Sequence, residues 1–365
     1  MVLIYYVFSF LLYLISIPFL ILLSFKKKYK LSIPARFFLY KNPPFKEKRD
    51  YFHACSLGET KTLLPLIENK KINLSVITNT AFLEAKKYKN IDLRFLPFEV
   101  FLPFWFKPCN KLVVIEAELW YMLFFIAKRR CRKTILLNAR ISDRSYKRYL
   151  KFKWFYKRVF ENIDIILAQS EIDKKRLKEL GAKNIEVVGN IKTYFKPKIT
   201  KKYNKLKPLI VVASTHKNEE ELILSNLPLD EYQVVVAPRH PERFEEVYKL
   251  MKKFGDVKKV EDDLTHNLML MSKMGELINL YAISDIVILG GSFVDNVGGH
   301  NPIEVAYFNK PIISGEYIFN QKVLYNEVEN IVICKPNEIS KYLKKAKPTY
   351  IKNKVDIKKV LSYLE

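Results

Sequence analysis

The stretch GGSFVDNVGGHNPIE, residues 290 to 304, follows directly on the short apolar run DIVIL at 285 to 289. The β-branched run reads as a buried strand that empties into a double glycine and Ser292. A second double glycine, Gly298 and Gly299, leads to His300, Asn301 and Pro302. Asparagine is a good helix N-cap and proline suits the first helical position, so a helix is expected from Asn301 with Ile303, Glu304, Val305 and Ala306 in its first turn. The free N–H groups and dipole of such a helix attract an anion, and bare glycine backbone lets a ligand approach. Four of the chain's 10 glycines fall in this loop, which favours a loop for a phosphate-bearing ligand over a simple turn and capping box with Glu304.

Outward from this loop the chain alternates short apolar runs with helical stretches. Strands are read at 209 to 213 before Ser214, Thr215 and His216, and at 233 to 237 before PRHPER. Gly275, Glu276 and Leu277 precede a short helix. Upstream, strands at 51 to 54, 74 to 78, 111 to 115, 134 to 137, 163 to 168 and 186 to 188 alternate with helices. Residues 193 to 208 show no apolar period and read as a linker. This pattern predicts an α/β protein of two Rossmann-like domains facing a cleft, each with a parallel sheet covered on both faces. Ligands of such sheets sit at the carboxyl ends of the strands.

The length of 365 residues suits two domains. With 63 Lys+Arg against 38 Asp+Glu, the net charge is +25, which suits an anionic membrane face, a phosphorylated substrate or nucleic acid; a lysine-coated soluble surface gives the same sum. No zinc-finger, RNP-like or helix-turn-helix signature accompanies the charge, so nucleic acid is not among the expected partners. Cys55, Cys109, Cys131 and Cys334 lack CxxC spacing and are expected to be small buried hydrophobes in a reducing compartment.

Residues 2 to 25 carry no charge and Lys26, Lys27, Lys28 and Lys30 come immediately after. The segment is long enough to cross a hydrocarbon core of about 30 Å. It has neither a basic n-region nor a small-residue cleavage site, so a membrane anchor is expected rather than a cleaved signal. The lysines put the remainder of the chain on the cytoplasmic side. Pro18 leaves open a helix lying in the interface.

Glu59, beside Gly58 where a strand turns into a helix, reads either as a general base or as a carboxylate favouring the helix N-terminus. Glu116 and Glu118 should point to opposite faces if strand-like, leaving one at the cleft. Lys192, after Gly189 and Asn190, is placed to stabilise developing negative charge, and Arg239 to fork a phosphate. The histidines show no metal-ligand spacing, and no Asp-x-Asp motif occurs, so neither a metal nor another cofactor is expected.

Taken in order, HACSLGE (53 to 59), EAELW (116 to 120), LNARISDRS (137 to 145), LAQSEIDKKRLKELGA (167 to 182), GNIK (189 to 192), ASTHKNEEE (213 to 221), PRHPERF (238 to 244), MGELINLYAISD (274 to 285) and GGHNPIE (298 to 304) resemble the Kdo transferases. These move 3-deoxy-D-manno-octulosonic acid (Kdo) from CMP-Kdo to a lipid A precursor in lipopolysaccharide biosynthesis. The resemblance covers roughly residues 31 to 325 and the anchor. It implies a GT-B glycosyltransferase, inverting and metal-independent, at the cytoplasmic face of the inner membrane, with CMP-Kdo, a lipid A precursor and the anionic membrane surface as partners. It implies an anchor at 1–28, an acceptor domain at 29–195, a linker at 196–208, a CMP-Kdo-binding domain at 209–345 and a C-terminal helix at 346–365. By motif, Glu59 is the base, Glu116 and Lys192 are transition-state stabilisers, and Pro238, Arg239, Met274, Gly275, Glu276, His300, Asn301, Pro302, Ile303 and Glu304 bind CMP. The chain departs from the family at TNTAFLEAKK (78 to 87) and at Tyr121, both on the acceptor side. A GT-B enzyme using another nucleotide sugar is the alternative within enzymes, and a non-catalytic membrane-surface protein the alternative outside them.

Overall fold

A computed structural model describes residues 1–365 except 68, 69, 117, 195 and 196. The chain forms two compact units, Met1–Lys192 with Val355–Glu365, and Thr193–Lys354. The expected boundary between 195 and 196 lies outside the described residues.

Unit 1 carries strands β1 (Tyr51–Ala54), β2 (Ile72–Val76), β3 (Ile91–Phe95), β4 (Cys109–Ile115), β5 (Cys131–Ala139), β6 (Ile165–Ala168) and β7 (Ile185–Val187). Its helices are α1 (Val2–Ser24), α2 (Ser32–Phe37), α3 (Leu57–Ile67), α4 (Asn79–Ala85), α5 (Leu102–Trp105), α6 (Tyr121–Arg130), α7 (Asp143–Lys151), α8 (Lys153–Phe160) and α9 (Glu171–Glu179). The sheet is parallel with order β3-β2-β1-β4-β5-β6-β7. The winding reverses between β1 and β4, which opens a crevice beyond their carboxyl ends, the place where doubly wound sheets take ligands.

Unit 2 repeats the plan. Its strands are β8 (Leu209–Thr215), β9 (Gln233–Pro238), β10 (Val257–Lys259), β11 (Leu268–Leu270), β12 (Ile286–Leu289), β13 (Ile312–Ser314), β14 (Val328–Glu329), β15 (Val332–Ile333) and β16 (Tyr350–Ile351). The helices are α10 (Glu219–Leu224), α11 (Phe244–Met251), α12 (Leu277–Ile283), α13 (Ile303–Ala306), α14 (Lys322–Asn326) and α15 (Ile339–Leu343). The main sheet runs β10-β11-β9-β8-β12-β13-β15, all parallel, and β14 pairs with β16 separately. Leu209, Val211 and Ala213 bury into one apolar cluster and Ile210 and Val212 into another, because successive strand residues point to opposite faces. Both faces are therefore covered, as an all-parallel sheet requires. The reversal here lies between β8 and β12. The two sheets are those of the α/β class expected for a GT-B enzyme.

The last helix, α16 (Ile357–Leu364), belongs to unit 1. Val188 O accepts the Asp356 N–H at 2.7 Å, Leu364 O accepts from Lys70 Nζ at 3.0 Å, and Tyr363 donates to the Glu186 carboxylate. The expected helix over 346–365 is thus a short strand followed by a helix from 357. Pro348 blocks earlier helical growth, and the Asp356 side chain caps the helix by accepting the Lys359 N–H at 3.0 Å.

Helix α1 is 23 residues long and apolar enough to cross a membrane. It also docks along its own unit. Tyr6 OH donates to Val100 O at 3.0 Å and Tyr13 OH to Phe37 O at 2.7 Å, while Tyr5 donates to the Glu99 carboxylate. Its outward side is apolar and bare, with Leu3 73% and Ile15 78% exposed.

One expectation about the cysteines is corrected. Cys109 and Cys131 form a disulfide, with Cα atoms 4.7 Å apart. They are register partners on neighbouring strands β4 and β5, a juxtaposition that a separation of 22 residues does not reveal. Cys55 and Cys334 are free.

Candidate functional site

In unit 1, β1 delivers Cys55 and Ser56 to the crevice and α3 starts at once, so Glu59 falls in the first helical turn. Its Oε2 accepts the Cys55 N–H at 2.8 Å and its Oε1 the Ser56 hydroxyl at 2.7 Å, while Ser56 Oγ accepts the Glu59 N–H at 3.3 Å. This reciprocal cap realises the helix-start reading of Glu59. The second reading stands beside it, because Glu59 is only 9% exposed. Burial holds the Glu59 carboxyl above the ordinary value, Glu116 and Glu118 add to the rise, and the hydrogen bonds from Ser56 and Cys55 oppose it. A carboxyl tuned upwards by burial and like charges has the form of a general base.

Glu116 follows β4 with φ +62°, in the left-handed region. The chain leaves the extended conformation there, so the expected opposition of Glu116 and Glu118 does not hold: both carboxylates act on Glu59. Glu116 pairs with the ammonium of Lys192. The two arrive from distant strand ends, and Asn138 at the end of β5 makes this possible. Its Oδ1 accepts the Ile191 N–H at 2.9 Å, and its backbone O accepts Gln169 Nε2 at 3.1 Å. The segment after β7 is thereby drawn back over the sheet, and Glu59, Glu116 and Lys192 gather at one place in unit 1.

In unit 2, a cavity of about 320 Å³ is lined by Pro238, Arg239, Met274, Gly275 and Glu304 among others, Ser214 and Lys273 included. Five of the expected donor-binding residues therefore share one hollow at the ends of β8 and β9. Burial raises the Glu304 carboxyl, opposed by Asn301 and Arg239. Glu276 does not line it: its carboxylate accepts Tyr203 OH and Asn279 Nδ2, each at 2.7 Å. Ile303 is core, 1% exposed. His300 lies beside His216, with Nε2 atoms 3.0 Å apart. Burial, then His216 and Arg239, push His300 down to about 4, so it is neutral at physiological pH.

The helix expected from Asn301 is shorter than foreseen. α13 holds only four residues, Ile303–Ala306, with Pro302 at the N-cap position, although Asn301 Oδ1 does accept the Ile303 N–H at 2.9 Å. So short a helix carries little dipole. The backbone N–H groups at the first double glycine already have an acceptor. The buried carboxylate of Glu219 accepts the N–H groups of Gly291 (2.7 Å), Ser292 (3.0 Å), Phe293 (2.8 Å) and His216 (2.8 Å). Gly290 is glycine for space: a Cβ there would lie 2.9 Å from Ser214 O and Thr215 Cα. Glu219 stands in the motif ASTHKNEEE, but nothing in that motif signals a partner some 70 residues on.

Sequence reasoning also missed a cluster of His53, Cys55 and Glu118, whose ligand-capable atoms all lie within 4.8 Å. An H-x-C spacing with a glutamate from the segment after β4 has no motif to betray it.

Two doubly wound parallel sheets with polar side chains at their reversal points are the architecture of nucleotide-binding α/β proteins. Residues 32–195 match the family described as 3-Deoxy-D-manno-octulosonic-acid transferase (kdotransferase). A 3-deoxy-D-manno-octulosonic acid transferase of Haemophilus influenzae is 32% identical over 82% of this chain and 78% of its own. One of Rickettsia felis is 34% identical over 73% of this chain and 63% of its own. A bifunctional glycosyltransferase/methyltransferase of Fusobacterium nucleatum is 33% identical over 77% of this chain, which spans 49% of that longer protein. Among solved structures, the C-terminal CMP-Kdo binding domain of WaaA from Acinetobacter baumannii shares 28% identity over 38% of this chain and 79% of that one, with a TM-score of 0.35. The chain belongs to the 3-deoxy-D-manno-octulosonic acid transferase family.

Proposed function

We propose that the protein is an inverting glycosyltransferase that moves Kdo from CMP-Kdo to a hydroxyl of a lipid A precursor, lipid IVA, without a metal ion in the transfer step. Glu59 takes the proton of the acceptor hydroxyl, whose oxygen bonds to the anomeric carbon of Kdo. The bond from that carbon to the CMP phosphate oxygen breaks, and CMP leaves with the electron pair. Lys192, oriented by Glu116, stabilises negative charge that develops in this step. Arg239, with Pro238, Met274, Gly275 and Glu304, holds the CMP part, and Arg239 suits a phosphate through its planar fork. Glu276, His300, Asn301, Pro302 and Ile303 act on that site from behind, through caps and packing. The observation that carries this reading is the Glu116–Lys192 pair gathered beside the raised carboxyl of Glu59.

The apolar outward side of α1 and the net charge of +25 support attachment to an anionic membrane, with the catalytic units on the cytoplasmic side of the inner membrane. The docking of α1 through Tyr6 and Tyr13 favours a helix lying in the interface over one that spans the bilayer. Release of CMP by the full chain in detergent, with lipid IVA and CMP-Kdo generated in place, tests the donor. Release with CMP-Kdo but not with UDP- or GDP-sugars supports the reading, and turnover of those sugars alone overturns it.

A further inference from the structure

At the carboxyl end of β1, His53 Nε2 lies 3.4 Å from Cys55 Sγ. Glu118, from the segment after β4, completes a group whose ligand atoms all fall within 4.8 Å of one another. We propose that His53, Cys55 and Glu118 form a binding site for a thiophilic divalent cation such as Zn²⁺.

Three features support this beyond proximity. Tetrahedral zinc with Zn–S near 2.3 Å and Zn–N near 2.0–2.1 Å places sulfur and nitrogen about 3.5 Å apart, close to the separation here. His53 is already set as a ligand. Its Nδ1 lies 3.1 Å from Ser75 O; in the tautomer whose Nδ1–H donates to that carbonyl, the Nε2 lone pair faces the thiol. Ser75 Oγ, 2.8 Å from Nδ1, is held in turn by Tyr51 OH at 2.8 Å. Metal-binding histidines show this same outer support, which fixes ring and tautomer. Glu118 Oε2 takes the Trp120 indole N–H at 2.9 Å, which holds its carboxylate in place.

The charges around the site favour a cation on balance. The Arg36 guanidinium faces Cys55 and Glu118 and opposes it. Against that one charge stand the Glu118 carboxylate, Glu59, which also acts on Cys55, and the thiolate that binding creates. Without metal Cys55 is a thiol; on binding, the S–H bond gives its proton to solvent and the sulfur pair goes to the metal. The Cys55 N–H also holds Glu59 Oε2 at 2.8 Å, so an occupied site constrains the carboxylate proposed as base, and inhibition is the expected effect on transfer.

The test uses the full chain in detergent, purified without reductant so that the Cys109–Cys131 disulfide stays closed, and stripped of metal. Co²⁺ is expected to give a thiolate-to-cobalt charge-transfer band at one equivalent, bleached by one equivalent of Zn²⁺. Cys55→Ser should abolish the band and weaken Zn²⁺ competition against a chromophoric chelator by about a hundredfold or more, at or beyond the upper end of what loss of an outer-shell partner does. Cys334→Ser, which removes the other free thiol, should change neither. Absence of a thiolate band in a folded wild-type protein, or a band that survives Cys55→Ser, overturns the site. The binding readout is independent of the transferase reading. Zn²⁺ inhibition of wild type that Cys55→Ser relieves links the two, and inhibition equal in both variants overturns that link.

Discussion

Lys192 meets the carboxylate of Glu116 although the sheet places β5 and β6 between the strands that carry them. The pair is partly buried, with side chains 26% and 22% exposed, and it stands beside Glu59. An isolated surface pair contributes little to stability. Its expected value here is catalytic: Lys192→Gln should lower kcat by about 10²–10³-fold with a small change in KM, as loss of a donor that acts on developing charge does. Glu116→Gln should show the same pattern, and the double variant should lose less than the product of the two. Steady-state kinetics of the three variants checks this.

The raised carboxyl of Glu59 sets the pH dependence. A base works ionised, so the rate should climb with pH on an acid limb whose midpoint lies above the ordinary glutamate value of about 4.3. Burial, reinforced by Glu116 and Glu118, is the cause. Removing Glu116 should therefore move that limb to lower pH. Glu59→Gln should cost about 10²–10⁴-fold in rate. A kcat–pH profile of wild type and Glu116→Gln measures the shift.

Glu219 is expected to matter for stability. Its carboxylate satisfies four backbone N–H groups, and each buried donor left unsatisfied costs about 1–3 kcal/mol, with water offsetting part. Glu219→Ala should lose about 3–5 kcal/mol in urea unfolding, of the size seen when one partner of a buried charged contact is removed. Gly290→Ala should lose about 1–3 kcal/mol by overpacking, since the atoms it meets are backbone and have no rotamer to yield.

Much of this was legible in the residues. The runs at 209 to 213 and 285 to 289 became β8 and β12 because uninterrupted β-branched residues suit a strand covered on both faces. β3 escaped notice because its Asp92 and Arg94 sit on an edge strand and break the apolar run. The β10, β11, β13 and β15 strands are two or three residues long, too short for a period to show. In the site, Glu59 and Arg239 were readable from a strand end followed by a turn. The Glu116–Lys192 contact was not, since it depends on Asn138 drawing residue 191 across the sheet. Nor was the occupation of the glycine loop by Glu219, which joins two ends of neighbouring strands far apart in the chain.

The disulfide gives a direct count. Denatured protein without reductant should show two reactive thiols, Cys55 and Cys334, and four after reduction. Thiol titration of the purified chain decides it, and four thiols before reduction would contradict the pairing.

The central claim is the reaction itself, and mass spectrometry of the acceptor tests it most directly. Tetraacylated lipid A precursor incubated with the full chain and freshly generated CMP-Kdo should gain mass in whole Kdo units, and Glu59→Gln should leave the acceptor unchanged. An acceptor of unaltered mass, with the wild-type protein folded and the lipid dispersed, would contradict the account.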